Sequence, residues 1–127
     1  MMKAAKLLQT FSKRAIGDAK ERLAEEFLSR QGARVLERNL HGPMGEIDLI
    51  LEHENCLIFV ETRYRKNRSF GGAAASVSAT KRKKIIATAQ HYLQSNPHRQ
   101  HSPCRFDVIA IEGDEINWIK NAFQLSD

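Results

Sequence analysis

Two apolar runs, "IDLIL" at 47–51 and "LIFV" at 57–60, are parted by only a few polar residues. Apolar runs of this length bounded by turn residues read as strands, and so short a gap joins them antiparallel. A third run, "CRFDVIAI" at 104–111, follows only after a stretch with helical spacing. A strand reached through a helix can lie parallel to the strand before it. The pattern therefore allows a mixed sheet with helices on its faces, an α/β arrangement.

The remaining elements follow from periodicity. A first helix is predicted over 18–31, with Asp18 as N-cap, Gly32 as stop and Leu23, Ala24, Phe27 and Leu28 as its apolar stripe. "ARVLERN" reads as a strand and "HGPMG" as a turn, before strands at 46–51 and 57–63. "NRSFGGAAAS" reads as a loop. A second helix is predicted over 78–94, with Ile85, Ile86, Ala89 and Leu93 on its apolar face. After it come the strand 104–111, a "GD" turn and a last strand, "EINWIKNAF". The order is helix, three strands, helix, two strands. A chain of 127 residues suits one core. Residues 1–16 read as a basic arm or short helix, and 17–127 as a single domain.

Charge and cysteine content narrow the function. The net charge of +5 favours an anionic partner, nucleic acid first and an anionic membrane surface second. Cys56 and Cys104 cannot build the disulfide framework of a small secreted domain, and they lack zinc-finger spacing. They suit a reduced, cytoplasmic protein. The basic N-terminal stretch is too short and too broken for a signal segment or a membrane span. The sequence has no GxSxG elbow, Walker A loop or HExxH motif, and its five histidines show no ligand spacing.

The chemistry-bearing feature is a set of charges inside the central strands. Glu46 and Asp48 lie two apart, as do Glu61 and Arg63, so each pair shares a face. A two-residue loop at His53 and Glu54 would set Glu46 opposite Glu61 and place all four on one side. Carboxylates held together repel, and either a proton or a shared cation relieves them. Carboxylate oxygens with water suit magnesium or manganese, and the Thr62 main-chain carbonyl offers another oxygen. The structural alternative is a same-face Glu61–Arg63 ion pair on a wet edge. Glu21, on the edge of the first helix's stripe, is a third acid that could reach the sheet rim, with Glu25 and Glu26 pointing further outward. Its spacing from Asp18 is also close to that of a capping box, and the two readings are compatible.

Basic residues bracket the loop. Arg63, Arg65 and Lys66 precede it, Arg68 stands at its start, and Lys81, Arg82, Lys83 and Lys84 open the second helix. Both clusters suit phosphates around a metal, or a solvated surface. Arg105 and Asp107 share a face of their strand and read as an internal ion pair. Tyr64 and Phe70 offer rings for base stacking or for rim packing.

"GEIDLI", "FVETRYR", "FG", a lysine-bearing helix ending in "AQHYL", "CRFDVIAI" and "NAF", in that order, resemble the YraN family of small bacterial proteins. The match runs from Gly17 to Phe123. The family is regarded as predicted endonucleases, similar to archaeal Holliday-junction resolvases and the wider PD-(D/E)XK nucleases. The resemblance implies a restriction-endonuclease-like core with αβββαβ order plus a C-terminal strand. It implies Glu21, Asp48, Glu61 and Arg63 as catalytic residues, with Asp48, Glu61 and Thr62 around Mg2+, or Mn2+ as substitute. Arg65, Lys66, Arg68, Lys81, Arg82 and Lys84 would hold the DNA backbone, and a homodimer would cut two strands. One departure matters: the superfamily lysine falls on Arg63. Arginine stays protonated and is a poor base, yet it can bind the scissile phosphate. The rival expectations are a DNA-binding protein that has lost catalysis and an adaptor for an acidic protein.

Overall fold

The structure is a computed structural model that describes residues 18–65 and 77–124, with the backbone alone at Arg65. The expected arm at 1–16, Lys66 and the whole Gly-rich loop, with Arg68 and Phe70 in it, lie outside the described residues. A helix α1 covers 18–30. Strands β1 (Arg34–Gly42), β2 (Gly45–His53) and β3 (Cys56–Arg65) follow, then helix α2 (Ala79–Ser95). A single 3-10 turn at Pro97–Arg99 leads to β4 (Cys104–Glu112) and β5 (Glu115–Phe123). The five strands lie in chain order. Only β3 and β4, the pair joined through α2, are parallel; the other pairs are antiparallel. The fold class is the α/β one expected from the sequence.

Each helix covers one face. Ala24 and Leu28 of α1 pack with Leu49, Leu51, Ile58, Val60, Ile109 and Ile111. Ile85, Ile86, Ala89 and Tyr92 of α2 pack with Ile50, Leu57, Phe59, Phe106 and Val108 on the other. The α1 stripe is narrower than its spacing suggests, because Leu23 is exposed. Asp18 is already helical, so it is not an N-cap, which must be non-helical. Gly32 does end the helix: its φ is +90°, and Ala33 N–H reaches back to the Leu28 carbonyl.

The β2–β3 hairpin turns at Glu54 and Asn55, both with positive φ (52° and 64°), as a two-residue hairpin loop requires. Glu52 therefore pairs with Leu57, not with Asn55. The register is two residues away from the expected one, which preserves the alternation.

The β1–β2 hairpin presses on α2. A Cβ on Gly42 would stand 3.1 Å from Thr88 Cγ2, and one on Gly45 3.3 Å from Lys84 Cβ. Gly42→Ala should therefore cost about 1–3 kcal/mol through overpacking. Thr88→Ser removes the offending methyl and keeps the hydroxyl that donates to the Lys84 carbonyl. Urea midpoints should show the double variant losing less than the two single losses combined; strict additivity would place the strain elsewhere.

Candidate active site

The candidate acids lie around the end of the β2–β3 ladder. The β2–β3 ladder pairs Leu49 with Val60, the last pair toward this end. Leu49 and Leu51 pack under α1, whereas Ile47 packs under α2 beside Ile50. The alternation thus breaks at Asp48. Both the main-chain N–H and Oγ1 of Thr62 donate to Asp48 Oδ2, at 2.8 and 2.9 Å. A side chain here takes the β3 donor that a regular ladder would give to a β2 carbonyl.

The four strand charges consequently do not share one face. Odd-numbered residues of β3 point toward α2, as Leu57 and Phe59 show. Glu61 follows them and is only 4% exposed. Lys81 Nζ of α2 lies 2.9 Å from Glu61 Oε1, and Arg63 Nη2 approaches the same oxygen at 3.7 Å. Asp48 and Thr62 open instead toward α1, into a cavity of about 20 Å3 shared with Glu21, Glu25, Arg38 and Asn39. That volume holds one water or one ion. Glu46 stays at the exposed margin, 3.2 Å from His41 Nδ1. The broken alternation could not be foreseen, because "IDLIL" is apolar on both sides of Asp48.

Electrostatics join the acids across the gap. Burial pushes the Glu61 carboxyl above its usual range, and the charge of Asp48 adds to this; Lys81 and Arg63 pull it down, without reversing the direction. Glu21 is also raised, by burial first, then by Asp48, Asp18 and Glu25. Asp48 is therefore the shared neighbour of two strained carboxylates that come from different elements. Glu25 does not point outward as expected: its Oε1 accepts from Arg38 Nε at 2.7 Å, because α1 lies close over β1.

The basic residues separate. Lys81 joins the acids, while Lys84 lines a second cavity with Gly45, Glu46, Ile85 and Lys81 itself. Arg82 belongs to the same first turns of α2, and its Nε, like Arg63 Nε, is buried without a hydrogen-bond partner among the described residues. Tyr64 is exposed, with Lys20 Nζ 5.6 Å from its ring centre. The Lys81 contact had a signal in the sequence. Stepping back one turn from Ile85 and Ile86 along the buried face of α2 reaches residues 81 and 82, the two partly buried members of the basic run. The Arg105–Asp107 pair is internal, with both guanidinium bonds at 2.9 Å.

Sequence comparison assigns the family. The profile described as "Uncharacterised protein family UPF0102" matches residues 20–111. The chain belongs to UPF0102. This is the YraN family of the sequence resemblance. A UPF0102 protein of Saccharophagus degradans is 50% identical over 111 residues, covering 87% of this chain and 94% of that one. One from Alcanivorax borkumensis is 45% identical over 117 residues, covering 88% and 94%. One from Vibrio parahaemolyticus is 48% identical over 114 residues, with the same coverage. Among solved structures, SfsA of Pyrococcus furiosus in complex with Ca2+ is similar at 18% identity and a TM-score of 0.35. That likeness covers 85% of this chain and 63% of the other.

The donor set suits a hard divalent cation in chemistry. Its ligating atoms are oxygens, Lys81 and Arg63 offset only part of the strain on Glu61, and Asp48 and Glu21 border a cavity of ionic size. Among the described residues, however, no group of three or more His, Cys, Asp or Glu side chains is gathered closely enough to hold a metal. Lys81 holds Glu61, and Thr62 holds one oxygen of Asp48. Among those residues, too, no helix is long and apolar enough to cross a membrane.

Proposed function

We propose that this UPF0102 protein is a metal-dependent endonuclease that hydrolyses phosphodiester bonds in branched or otherwise structured DNA. The observation that carries the reading is the position of Asp48: it lines a cavity with Glu21, and its charge also raises Glu61 on the neighbouring strand. Asp48 and Glu61 would hold Mg2+, or Mn2+ in its place, with the Thr62 carbonyl as a further oxygen and Glu21 assisting. The bound ion supplies a Lewis acid and a water nucleophile at neutral pH.

The chain's own residues supply position and charge. Thr62 fixes Asp48 by two hydrogen bonds. Arg63 stays protonated and keeps a buried Nε without an acceptor among the described residues, which suits a scissile phosphate oxygen. Arg65, Arg82 and Lys84, with Lys66 and Arg68, would track the backbone. A homodimer would supply the second cut.

A second reading has one observation in its favour: Lys81 and Arg63 already satisfy Glu61, as in a DNA-binding protein without catalysis. End-labelled junction, flap and duplex DNA incubated with Mn2+ separate the two. Cutting by the wild type, lost in Glu61→Ala, is the expected result. No cutting of any substrate, with DNA affinity that falls steeply as salt rises, would leave only the binding role.

A further inference from the structure

Tyr64 presents a ring where the sheet forks. β2 and β3 pair only as far as Leu49 and Val60. Beyond that point the start of β2 stays with β1, and residues 61–65 of β3 stay with β4. One edge of β3 therefore has no strand beside it there, among the described residues. Thr62 N–H points across this fork to Asp48, and Tyr64 N–H, two residues on, points the same way by alternation. The Tyr64 ring follows Ile58 and Val60 to the α1 side. Lys20 Nζ of α1 stands 5.6 Å from the ring centre and is tethered there, because it donates to the Gly113 carbonyl at 2.7 Å. A fixed cation thus backs the ring, yet Tyr64 stays 43% exposed. Among the described residues, every other Phe, Tyr and Trp is at least partly buried.

The two sides of the fork differ in charge. The α1 side holds Glu21, Glu25 and Asp48, and Arg38 there is paired with Glu25. The α2 side holds Arg63 and Lys81 at Glu61, with Arg82 and Lys84 in the first turns of the helix. Without a bridging ion, a phosphate is repelled on the first side and attracted on the second. What suits the first side is neutral and flat, and a nucleobase is both. Every base has a π-face, so stacking on an aromatic ring needs no particular sequence. A base within a duplex is already stacked and paired, and only an unpaired one reaches such a ring at little cost.

We propose that Tyr64 stacks on an unpaired base beside the scissile phosphate, so that the substrate class is DNA with a single-stranded or frayed segment at the cut. This rests on the DNA-cleaving reading above and narrows it. Base and phosphate then lie on opposite sides of one strand, the ring on the α1 side and Arg63 on the α2 side. The Tyr64 main-chain N–H, aimed into the fork, is a further donor to the nucleotide. Tyr64 is thus a specificity-determining contact that reads strandedness rather than sequence.

The test is binding by fluorescence anisotropy in EDTA at low salt, where no DNA is cut, with a flap DNA and a continuous duplex of equal length. Tyr64→Ala should weaken flap binding about tenfold, or about 1.4 kcal/mol, and duplex binding less than about twofold. Tyr64→Phe keeps the ring and should stay within about twofold of the wild type on both. Neither change removes a charge, so the salt dependence should keep its slope, whereas Lys84→Met should weaken both DNAs and flatten it. A 2-aminopurine in the unpaired segment should lose fluorescence on binding the wild type and Tyr64→Phe, but not Tyr64→Ala. No loss of affinity in Tyr64→Ala, or equal losses on flap and duplex, overturns the proposal. So does a Tyr64→Ala protein that sediments as a smaller species than the wild type, because the ring would then join two subunits. If the wild type binds both DNAs and cuts with Mn2+, such results leave the nuclease reading standing. If the wild type binds neither DNA, the stacking and the DNA-cleaving reading fall together.

Discussion

Asp107→Ala should cost about 3–5 kcal/mol, the loss that follows when one partner of a buried ion pair is removed. Asp107 is fully buried. Its Oδ1 accepts from Arg105 Nε at 2.9 Å and from the Asn121 main-chain N–H at 2.8 Å. Its Oδ2 accepts from Arg105 Nη2 at 2.9 Å and from Trp118 Nε1 at 2.7 Å. Truncation strands a guanidinium, an indole N–H and a backbone N–H together, each of which lacks another acceptor in this network. The residue also spans the point where the β4–β5 register shifts, between Phe106 and Val108. It therefore ties the edge strand to the sheet by side-chain bonds where the ladder is irregular. Urea unfolding of Asp107→Ala reads the effect. A loss below about 1 kcal/mol would show that water replaces the carboxylate, as at a surface pair. Trp118→Phe removes a single donor and leaves Asp107 three others, so it should cost far less.

Asp107 also shows what the sequence makes legible. Two residues on one strand face, both charged, within a run of apolar neighbours, are already an ion pair by alternation alone. The same logic yields the strands, the crossover helix and the two-faced core. It stops where geometry departs from period two. The turn is an example: Asn55 is a residue that tolerates positive φ, yet "EHEN" contains three ways to place a two-residue loop. The break at Asp48 is a harder case. With apolar residues on both sides of it, no hydrophobic pattern marks which face the aspartate takes, and the Thr62 donors settle the matter. The Glu25–Arg38 and Lys81–Glu61 pairs depend on how each helix sits over the sheet. Only the second leaves a trace in helical spacing, because residues 81 and 82 lie one turn before Ile85 and Ile86 on the buried side of α2.

Glu61→Gln should melt higher than the wild type at neutral pH when no divalent ion is present. The ionised Glu61 carboxylate is disfavoured in the folded protein by burial first and by Asp48 second, more than Lys81 and Arg63 favour it. Its folded pKa therefore lies above the unfolded one. Wild-type stability from this group is fully present below the unfolded pKa and is lost as pH rises through the folded pKa. Glutamine carries no such dependence, so the two melting curves should converge in acid and separate toward neutrality. A gap of roughly 2–5 °C corresponds to about 1 kcal/mol in a chain of this size. Saturating Mn2+ should invert the order. An ion that binds only the folded wild type at a hundred times its dissociation constant adds about 2.7 kcal/mol, and Glu61→Gln should gain little of this. The crossing is the informative result, because a carboxylate kept at a cost to stability is what a binding site demands and a structural ion pair does not. Should Glu61→Gln instead melt lower at neutral pH, with Mn2+ moving neither protein, Glu61 would be the anchor that holds α2 to β3 through Lys81. The same acid would then serve the fold rather than a metal.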